Sequence, residues 1–314
     1  MFSVPEKLRC GPVRRADALA GGLPRDVLEG PQFRRLHEAV YCHRDCDVTW
    51  HDRVEAARLA LPEGARSTGI TRLQELGLDY GPRLPLHFVV EGDLHLELEG
   101  VFLHRTVKLP AAGDDGVSVE AAFVAYCAEA RTLDAIKVGC ELLRLATIDL
   151  DLLGQLLVEE KWRRGVAETE VVVPYLDDRC RSLPEAELLA YIRFSGMPEP
   201  EVNVTIEIEP GELITPDLWW EAYRQAVEYE GSQHQEERGQ YNADLDRYQL
   251  YRRNNTAYEQ VTKEHMRSPK ATVRRIHRAL VESGYEGPAP EFEELWSLLF
   301  RRLADVVRTT GAAS

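Results

Sequence analysis

The sequence has no apolar run near the roughly 20 residues that a helix needs to cross a bilayer. It also has no charged start followed by an apolar stretch, which is the pattern of a signal peptide. These two absences argue against a secreted or membrane-spanning protein. We therefore expect a soluble, cytoplasmic protein with no membrane partner.

Positive charge is scarce, because 38 Lys and Arg residues stand against 53 Asp and Glu residues and give a formal net charge of −15. This balance argues against a protein that broad electrostatic attraction holds to nucleic acid. A local basic face is still compatible with it, and so is a nuclease that needs a metal ion to approach phosphate.

Cysteine is limited to six scattered residues in a chain of 314, which is long enough to fold without disulfides. Reduced thiols are therefore expected. Cys42 and Cys46 lie near His43 and His51, but this group lacks a second ligand pair at zinc-finger spacing. We do not expect zinc there.

The length and the hydrophobic pattern predict a mixed α/β protein that begins with a small α+β domain over residues 1–173. The carboxy-terminal side of the chain is predicted to be a second domain over 182–286 and an amphipathic helix within 287–314. In the first domain we predict a strand or hairpin over 33–41, helices over 53–61 and 69–77, strands over 86–90, 94–98 and 101–105, and helices between about 120 and 165.

The second domain is predicted to follow the order helix, three strands, helix, strand and helix. The first helix begins at Ser182, and alternating apolar residues from Val202 to Ile208 form the first strand. The predicted elements that follow are strands carrying Asp217 and Glu228, a long polar helix over 233–253, a strand over 256–262 and a helix from Ser268.

Three acidic residues in this domain give the strongest functional signal. Asp217 follows Pro216 at the start of one strand, and Glu228 and Glu230 occupy alternate positions on the next. Residues i and i+2 of a strand share a face, so the three carboxylates are expected to converge. Such a cluster is destabilised by like-charge repulsion unless a hard divalent cation fills it. The pattern therefore predicts a Mg²⁺ (or Mn²⁺) site.

The wording around these acids resembles a known nuclease family. Residues 217–231 read D-L-W-W-E-A-Y-R-Q-A-V-E-Y-E-G, and His234, Asp244 and Arg247 follow. The segment is similar to the very-short-patch-repair-endonuclease-like domains of the PD-(D/E)XK superfamily, over about 182–284. The resemblance implies a restriction-endonuclease-like αβββαβ core and metal-dependent hydrolysis of phosphodiester bonds.

The resemblance also implies roles for single residues. Asp217 and Glu228 would be direct metal ligands, with the Tyr229 carbonyl as a third. Glu185 would approach the same metal or hold one of its waters. An alternative for Glu185 is open, because Ser182-x-x-Glu185 is also a capping box.

Glu230 occupies the position of the lysine in the parent motif, so it is better interpreted as a metal ligand or water-orienting group. The role of base or phosphate contact then passes to His234 or Gln233. Simpler roles are open as well: Asp217 as a turn residue, Glu228 and Glu230 as a solvated face, and His234 as a helix cap.

Basic residues accumulate after the motif, with ten Lys or Arg against six Asp or Glu between positions 231 and 280. This local reversal of charge is a candidate surface for contacting a nucleic-acid backbone. A solvated helix face is the alternative, and Asp244 and Arg247 are also compatible with a surface ion pair. The residues predicted to contact nucleic acid are Gln233, Arg247, Lys263, Arg274 and Arg275.

The amino-terminal half is similar to AbiEi-type antitoxin and regulator proteins, through residues 14–21, 33–41 and 56–60. This implies a targeting or regulatory domain. The combined hypothesis is a metal-dependent endonuclease, acting on DNA rather than RNA, in repair or in defence against foreign DNA. The alternative is an inactive nucleic-acid-binding regulator or an antitoxin. A protein partner or a homo-oligomer is compatible with the last amphipathic helix.

Overall fold

The computed structural model describes residues 3–209, 211–230, 251, 253–254 and 256–311. Its helices and small sheets confirm the predicted mixed α/β class. The chain divides into two compact units, Met1–Tyr126 and Cys127–Ser314. The boundary that was predicted after residue 173 therefore lies inside the second unit, which also contains the helices near the carboxy-terminal end.

The first unit contains two small three-stranded sheets. One sheet has the order β1-β3-β2, from Pro12–Arg14 (β1), Phe33–His37 (β2) and Val40–His43 (β3). The other has the order β4-β5-β6, from Arg66–Ser67 (β4), Leu86–Glu91 (β5) and Val101–Thr106 (β6). The helices are Arg15–Ala20 (α1), Arg25–Leu28 (α2), Trp50–Ala60 (α3), Gly69–Glu75 (α4) and Val119–Cys127 (α5).

The helix and the hairpin predicted around residue 49 are both present. Thr49 caps α3, since its hydroxyl oxygen accepts from the Asp52 N–H and the Asp52 carboxylate accepts from the Thr49 N–H. Strands β2 and β3 form the antiparallel hairpin, and Ala39 takes a left-handed φ of 57° in the turn. Local sequence patterns were sufficient for both elements.

The strand predicted over residues 94–98 is wrong. Strands β5 and β6 pair in parallel, with Leu86 opposite Val101. The segment between them must therefore return the chain to the other end of the sheet, and Leu94 and Leu96 are exposed in it. Alternating hydrophobicity cannot distinguish such a connection from a strand.

The second unit carries a four-stranded sheet in the order β12-β11-β10-β7. Its strands are Glu201–Val202 (β7), Leu218–Trp220 (β10), Gln225–Glu230 (β11) and Ala257–Thr262 (β12). Strand β10 is antiparallel to both of its neighbours, whereas β11 and β12 are parallel. A separate hairpin is formed by Ile206–Glu209 (β8) and Glu212–Ile214 (β9).

Helices surround this sheet in the order that the chain gives. They are Thr132–Arg144 (α6), Leu150–Glu159 (α7), Val166–Val172 (α8), Leu183–Phe194 (α9), Lys263–Met266 (α10), Pro269–Glu282 (α11), Glu294–Leu298 (α12) and Leu303–Gly311 (α13). Helix α11 packs against β11 and β12 through Thr272, Val273, Ile276 and Leu280. Among the described residues, no helix has both the length and the apolar character that a bilayer crossing requires.

The single strand predicted from Val202 to Ile208 is divided into two. Strand β7 joins the four-stranded sheet, whereas β8 pairs with β9. Asn203 takes a left-handed φ of 49° at the division, and this interrupts the extended backbone. The break also places Asn203 beside Asp217, because the Asn203 N–H donates to the Asp217 carbonyl at 3.0 Å.

Asp177 gives a prediction for stability and its pH dependence. Burial alone would raise the pKa of this carboxyl, but Arg179 and Arg193 donate to it at 2.8 and 3.0 Å and hold the pKa below its ordinary value of 3.8. A carboxyl with a depressed folded-state pKa stabilises the fold above its unfolded pKa, and this contribution is lost as the pH falls through the folded value.

We therefore expect Asp177→Asn to lower the free energy of unfolding at pH 7 by about 2 kcal/mol. The difference from the wild type should shrink as the pH falls below about 4. Urea unfolding at pH 7 and at pH 3 measures both values. A difference that is equal at the two pH values would contradict the assignment.

Candidate metal centre

Asp217 and Glu228 face each other where β10 begins. Leu218 pairs with Val227 in the antiparallel ladder, so Asp217 lies opposite Glu228 one residue further along. Side chains at directly opposite positions have Cβ atoms about 5 Å apart. The two carboxylates that the sequence singled out therefore lie side by side on one face of the sheet.

Backbone contacts fix Asp217 from two sides. Its Oδ2 atom accepts a hydrogen bond from the Tyr229 N–H at 2.7 Å. Its carbonyl oxygen accepts from Asn203, next to β7. Because both donors belong to the backbone of neighbouring strands, the orientation of this carboxylate is set by the sheet itself. The turn role considered for Asp217 does not account for these contacts.

Glu228 is a buried carboxylate, with 5% of its surface exposed. Burying a carboxylate is costly unless hydrogen bonds compensate. The Tyr251 hydroxyl donates to Glu228 Oε1 at 2.7 Å, and the Tyr251 ring stacks on Tyr258 of β12 with 4.9 Å between centroids. This burial excludes the solvated-face interpretation for Glu228.

The sequence prediction missed Tyr251, which it placed within a long polar helix. Its role depends on a contact with Glu228, 23 positions earlier in the chain. The nearest local signal is the pair of aromatic residues Tyr251 and Tyr258, and it does not reveal the partner.

The expected convergence of Asp217, Glu228 and Glu230 is not found. In the part of the chain that the structure describes, no three His, Cys, Asp or Glu side chains form a group that could hold a metal ion. A strand rises about 3.3 Å per residue, so Glu230 lies about 7 Å beyond Glu228 along β11. It shares their face but not their position.

Glu185 has the capping role that the sequence left open. Its Oε1 atom accepts from the Ser182 hydroxyl at 2.8 Å, and its Oε2 atom accepts from the Arg181 N–H at 2.9 Å. Oε2 also accepts from the Asn203 side-chain amide at 2.7 Å. Glu185 is thus connected to Asp217 through Asn203, which makes it a positioning residue for the backbone of the site.

Several predicted residues cannot be placed. Gln233, His234, Asp244 and Arg247 lie outside the described residues, as does most of the helix predicted over 233–253.

The other basic residues predicted to contact nucleic acid differ in their surroundings. Lys263 is exposed at the start of α10. The Arg274 guanidinium lies over the Phe292 ring, 4.9 Å from its centroid. Arg275 forms an ion pair with Glu259 of β12, so its charge is already offset.

The contact between Tyr251 and Glu228 gives a direct prediction. Tyr251→Phe keeps the stacked ring and removes the hydroxyl, so a buried carboxylate loses a donor. We expect the free energy of unfolding to fall by about 1.5–3 kcal/mol. Tyr258→Phe is the matched control, because it removes a hydroxyl from the ring stacked on Tyr251. Urea unfolding of both variants measures the difference, and equal losses would contradict a specific role for Tyr251.

Comparison with known proteins adds little about activity. No family model matches the chain. Two proteins described only as uncharacterized, from two strains of Mycobacterium tuberculosis, are 28% identical to it over 149 residues. That alignment covers 44% of this chain and 55% of each relative. The chain thus spans about half the length of these relatives, whose names state no activity.

Proposed function

We propose that the second unit is a metal-dependent endonuclease domain that hydrolyses phosphodiester bonds in nucleic acid, with DNA as the favoured substrate. The observation that carries this proposal is the pair of facing carboxylates, Asp217 and Glu228. One is oriented by the backbone of β11 and the other by a buried tyrosine hydroxyl. DNA repair or defence against foreign DNA is the proposed setting.

The described residues fit the proposed cation. Mg²⁺ keeps several waters and commonly takes only one or two protein carboxylates, together with substrate phosphate oxygens. Asp217 and Glu228 supply that set. A buried polar atom nearby agrees with it, since Asn203 Oδ1 has no hydrogen-bond partner among the described residues. Such atoms in native proteins often indicate a bound water or ion.

The bound ion would polarise the phosphoryl oxygen and lower the pKa of a coordinated water. The chain's own residues hold the two carboxylates in place before substrate arrives. The Tyr229 N–H orients Asp217, Tyr251 orients Glu228, and Glu185 acts through Asn203. Glu230, further along the same face, is proposed to orient a water. His234 or Gln233 is proposed to contact phosphate.

The topology also supports the proposal. The elements α9, β7, β10, β11, β12 and α11 follow the predicted order. The sheet combines two antiparallel pairs with one parallel pair, β11 and β12, and the carboxylates lie on the central strands. This arrangement agrees with a restriction-endonuclease-like core.

The rival function, an inactive nucleic-acid-binding regulator or antitoxin, is favoured by one observation. Glu230 stands where the parent motif has a lysine, so β11 presents no cation to a phosphate group. The buried, oriented carboxylate pair favours the nuclease, because a scaffold gains no stability from two adjacent carboxylates.

Cleavage assays distinguish the two functions. Plasmid, linear duplex, single-stranded DNA and a structured RNA would each be incubated with the protein in Mg²⁺, in Mn²⁺ and in EDTA. Products that require the metal and disappear in EDTA are expected, with DNA cleaved in preference to RNA. An absence of cleavage in every combination would contradict the nuclease and favour the regulator.

A further inference from the structure

We propose that one exposed face of α11 is the surface that contacts the nucleic-acid backbone. Three cations define this face, Lys270, Arg274 and Arg278, and we call them the α11 stripe. All three are exposed. The inference rests on the proposed nucleic-acid substrate and deepens it, because it states where the strand runs relative to the carboxylates.

The spacing places the three cations in one row. They are four residues apart, and at about 100° per residue they fall within about 80° of the helix circumference. The buried residues of α11, among them Val273 and Ile276, occupy the opposite side. The stripe therefore points away from the sheet and into solvent.

The charges of the stripe are not offset by acidic neighbours. Within the described parts of the chain, no carboxylate oxygen lies within 4.0 Å of Lys270, Arg274 or Arg278, whereas Arg275 on another side of α11 is paired with Glu259. Exposed arginines elsewhere in the unit are paired on their own helices, including Arg131 with Asp134, Arg144 with Glu141 and Arg308 with Asp305.

An aromatic ring steadies two of the three cations. The Lys270 ammonium lies 5.6 Å from the centroid of Phe292, and the Arg274 guanidinium lies 4.9 Å from it. Contacts of this kind contribute roughly 0.5–1 kcal/mol at exposed sites. Because they restrain long side chains, they lower the entropy cost of ordering those side chains against a ligand.

The stripe begins at the end of the sheet that carries the acids. Thr262, the last residue of β12, pairs with Glu230, and the exposed Lys263 follows it. At the far end of α11, the Ser283 hydroxyl donates to Gln225 Oε1 at 3.0 Å, where β11 starts. Helix α11 therefore runs back along the sheet, and a strand bound to the stripe would reach the carboxylate end.

Charge complementarity favours a polyphosphate as the occupant. The stripe extends about 12 Å along the helix, from eight residues at about 1.5 Å each. One nucleic-acid strand advances about 3.4 Å per nucleotide, so the three cations match a run of three to four phosphates. Cations that meet phosphates and not base edges fix position without reading sequence.

The test is binding of a fluorescein-labelled 30-base-pair duplex, measured by anisotropy in EDTA over a range of salt concentrations. The triple variant Lys270→Gln, Arg274→Gln, Arg278→Gln is compared with a control that neutralises three paired arginines, Arg131→Gln, Arg144→Gln, Arg308→Gln. We expect the stripe variant to bind about ten-fold or more weakly. Its slope of log affinity against log salt should be smaller by about 2–3, at about 0.9 per lost contact. The control should match the wild type.

Equal weakening in both variants, or none in either, overturns the proposal. So does binding to phosphatidylserine vesicles that exceeds binding to the duplex. Arg278→Gln alone serves as a second variant, because Arg278 does not stack on Phe292, and it should reduce the slope by about 1. Binding in EDTA does not require catalysis. A failed nuclease with intact stripe-dependent binding would therefore be distinguishable from a failed stripe.

Discussion

Asp217→Asn is expected to reduce metal-dependent cleavage of DNA by about a thousand-fold while leaving the fold intact. A metal ion that stabilises the transition state supplies several kcal/mol, and each 1.4 kcal/mol is a factor of about ten in rate. Asparagine keeps the shape of the side chain and a carbonyl oxygen that can accept from the Tyr229 N–H. The substitution therefore removes the charge and spares the hydrogen bond.

The control for this variant is Glu212→Gln, which neutralises an exposed carboxylate on β9 in the same unit. It should cleave at the wild-type rate. Thermal melting without metal should give all three proteins similar midpoints. Cleavage by Asp217→Asn at the wild-type rate would contradict the assignment of the site.

The second large effect concerns Trp219, which joins the site to its supporting core. Its side chain is 2% exposed, its Nε1 atom donates to Glu221 at 2.7 Å, and it packs in one cluster with Ala226 and Tyr251. Trp219→Ala removes a large buried ring and leaves a cavity, which typically costs about 3–5 kcal/mol. We expect a loss of that size in the free energy of unfolding.

Trp219→Ala should also weaken the site, because Tyr251 packs in the same cluster and orients Glu228. Trp162→Ala is the matched control, since Trp162 belongs to the same unit and is 51% exposed. Urea unfolding followed by far-UV circular dichroism compares them. A change below about 1 kcal/mol for Trp219→Ala, the size typical of a surface substitution, would contradict the packing described here.

Short-range patterns carried most of what could be predicted. The capping box at Thr49, the hairpin around Ala39 and the amphipathic face of α11 each depend on residues within a few positions of one another. The pairing of Asp217 with Glu228 was also accessible, because two strands joined by a short turn have little freedom in register. Alternation then places both carboxylates on one face.

What the sequence pattern could not give depends on contacts between distant residues. The parallel pairing of β5 with β6, which converts the 94–98 segment into a connection, has no local signature. The left-handed conformation of Asn203 is similar, since it is held by Glu185 and by Asp217 from separate parts of the chain. The same limit applies to the hydrogen bond from Tyr251 to Glu228.

The most direct test of the central claim is a Mn²⁺ titration followed by electron paramagnetic resonance, which needs no substrate. The wild type is expected to bind one Mn²⁺ ion per chain at the carboxylate pair. Asp217→Asn and Glu228→Gln should each lose that ion, whereas Glu212→Gln should retain it. No Mn²⁺ binding by the wild type, or equal binding by all four proteins, would contradict the proposed metal centre.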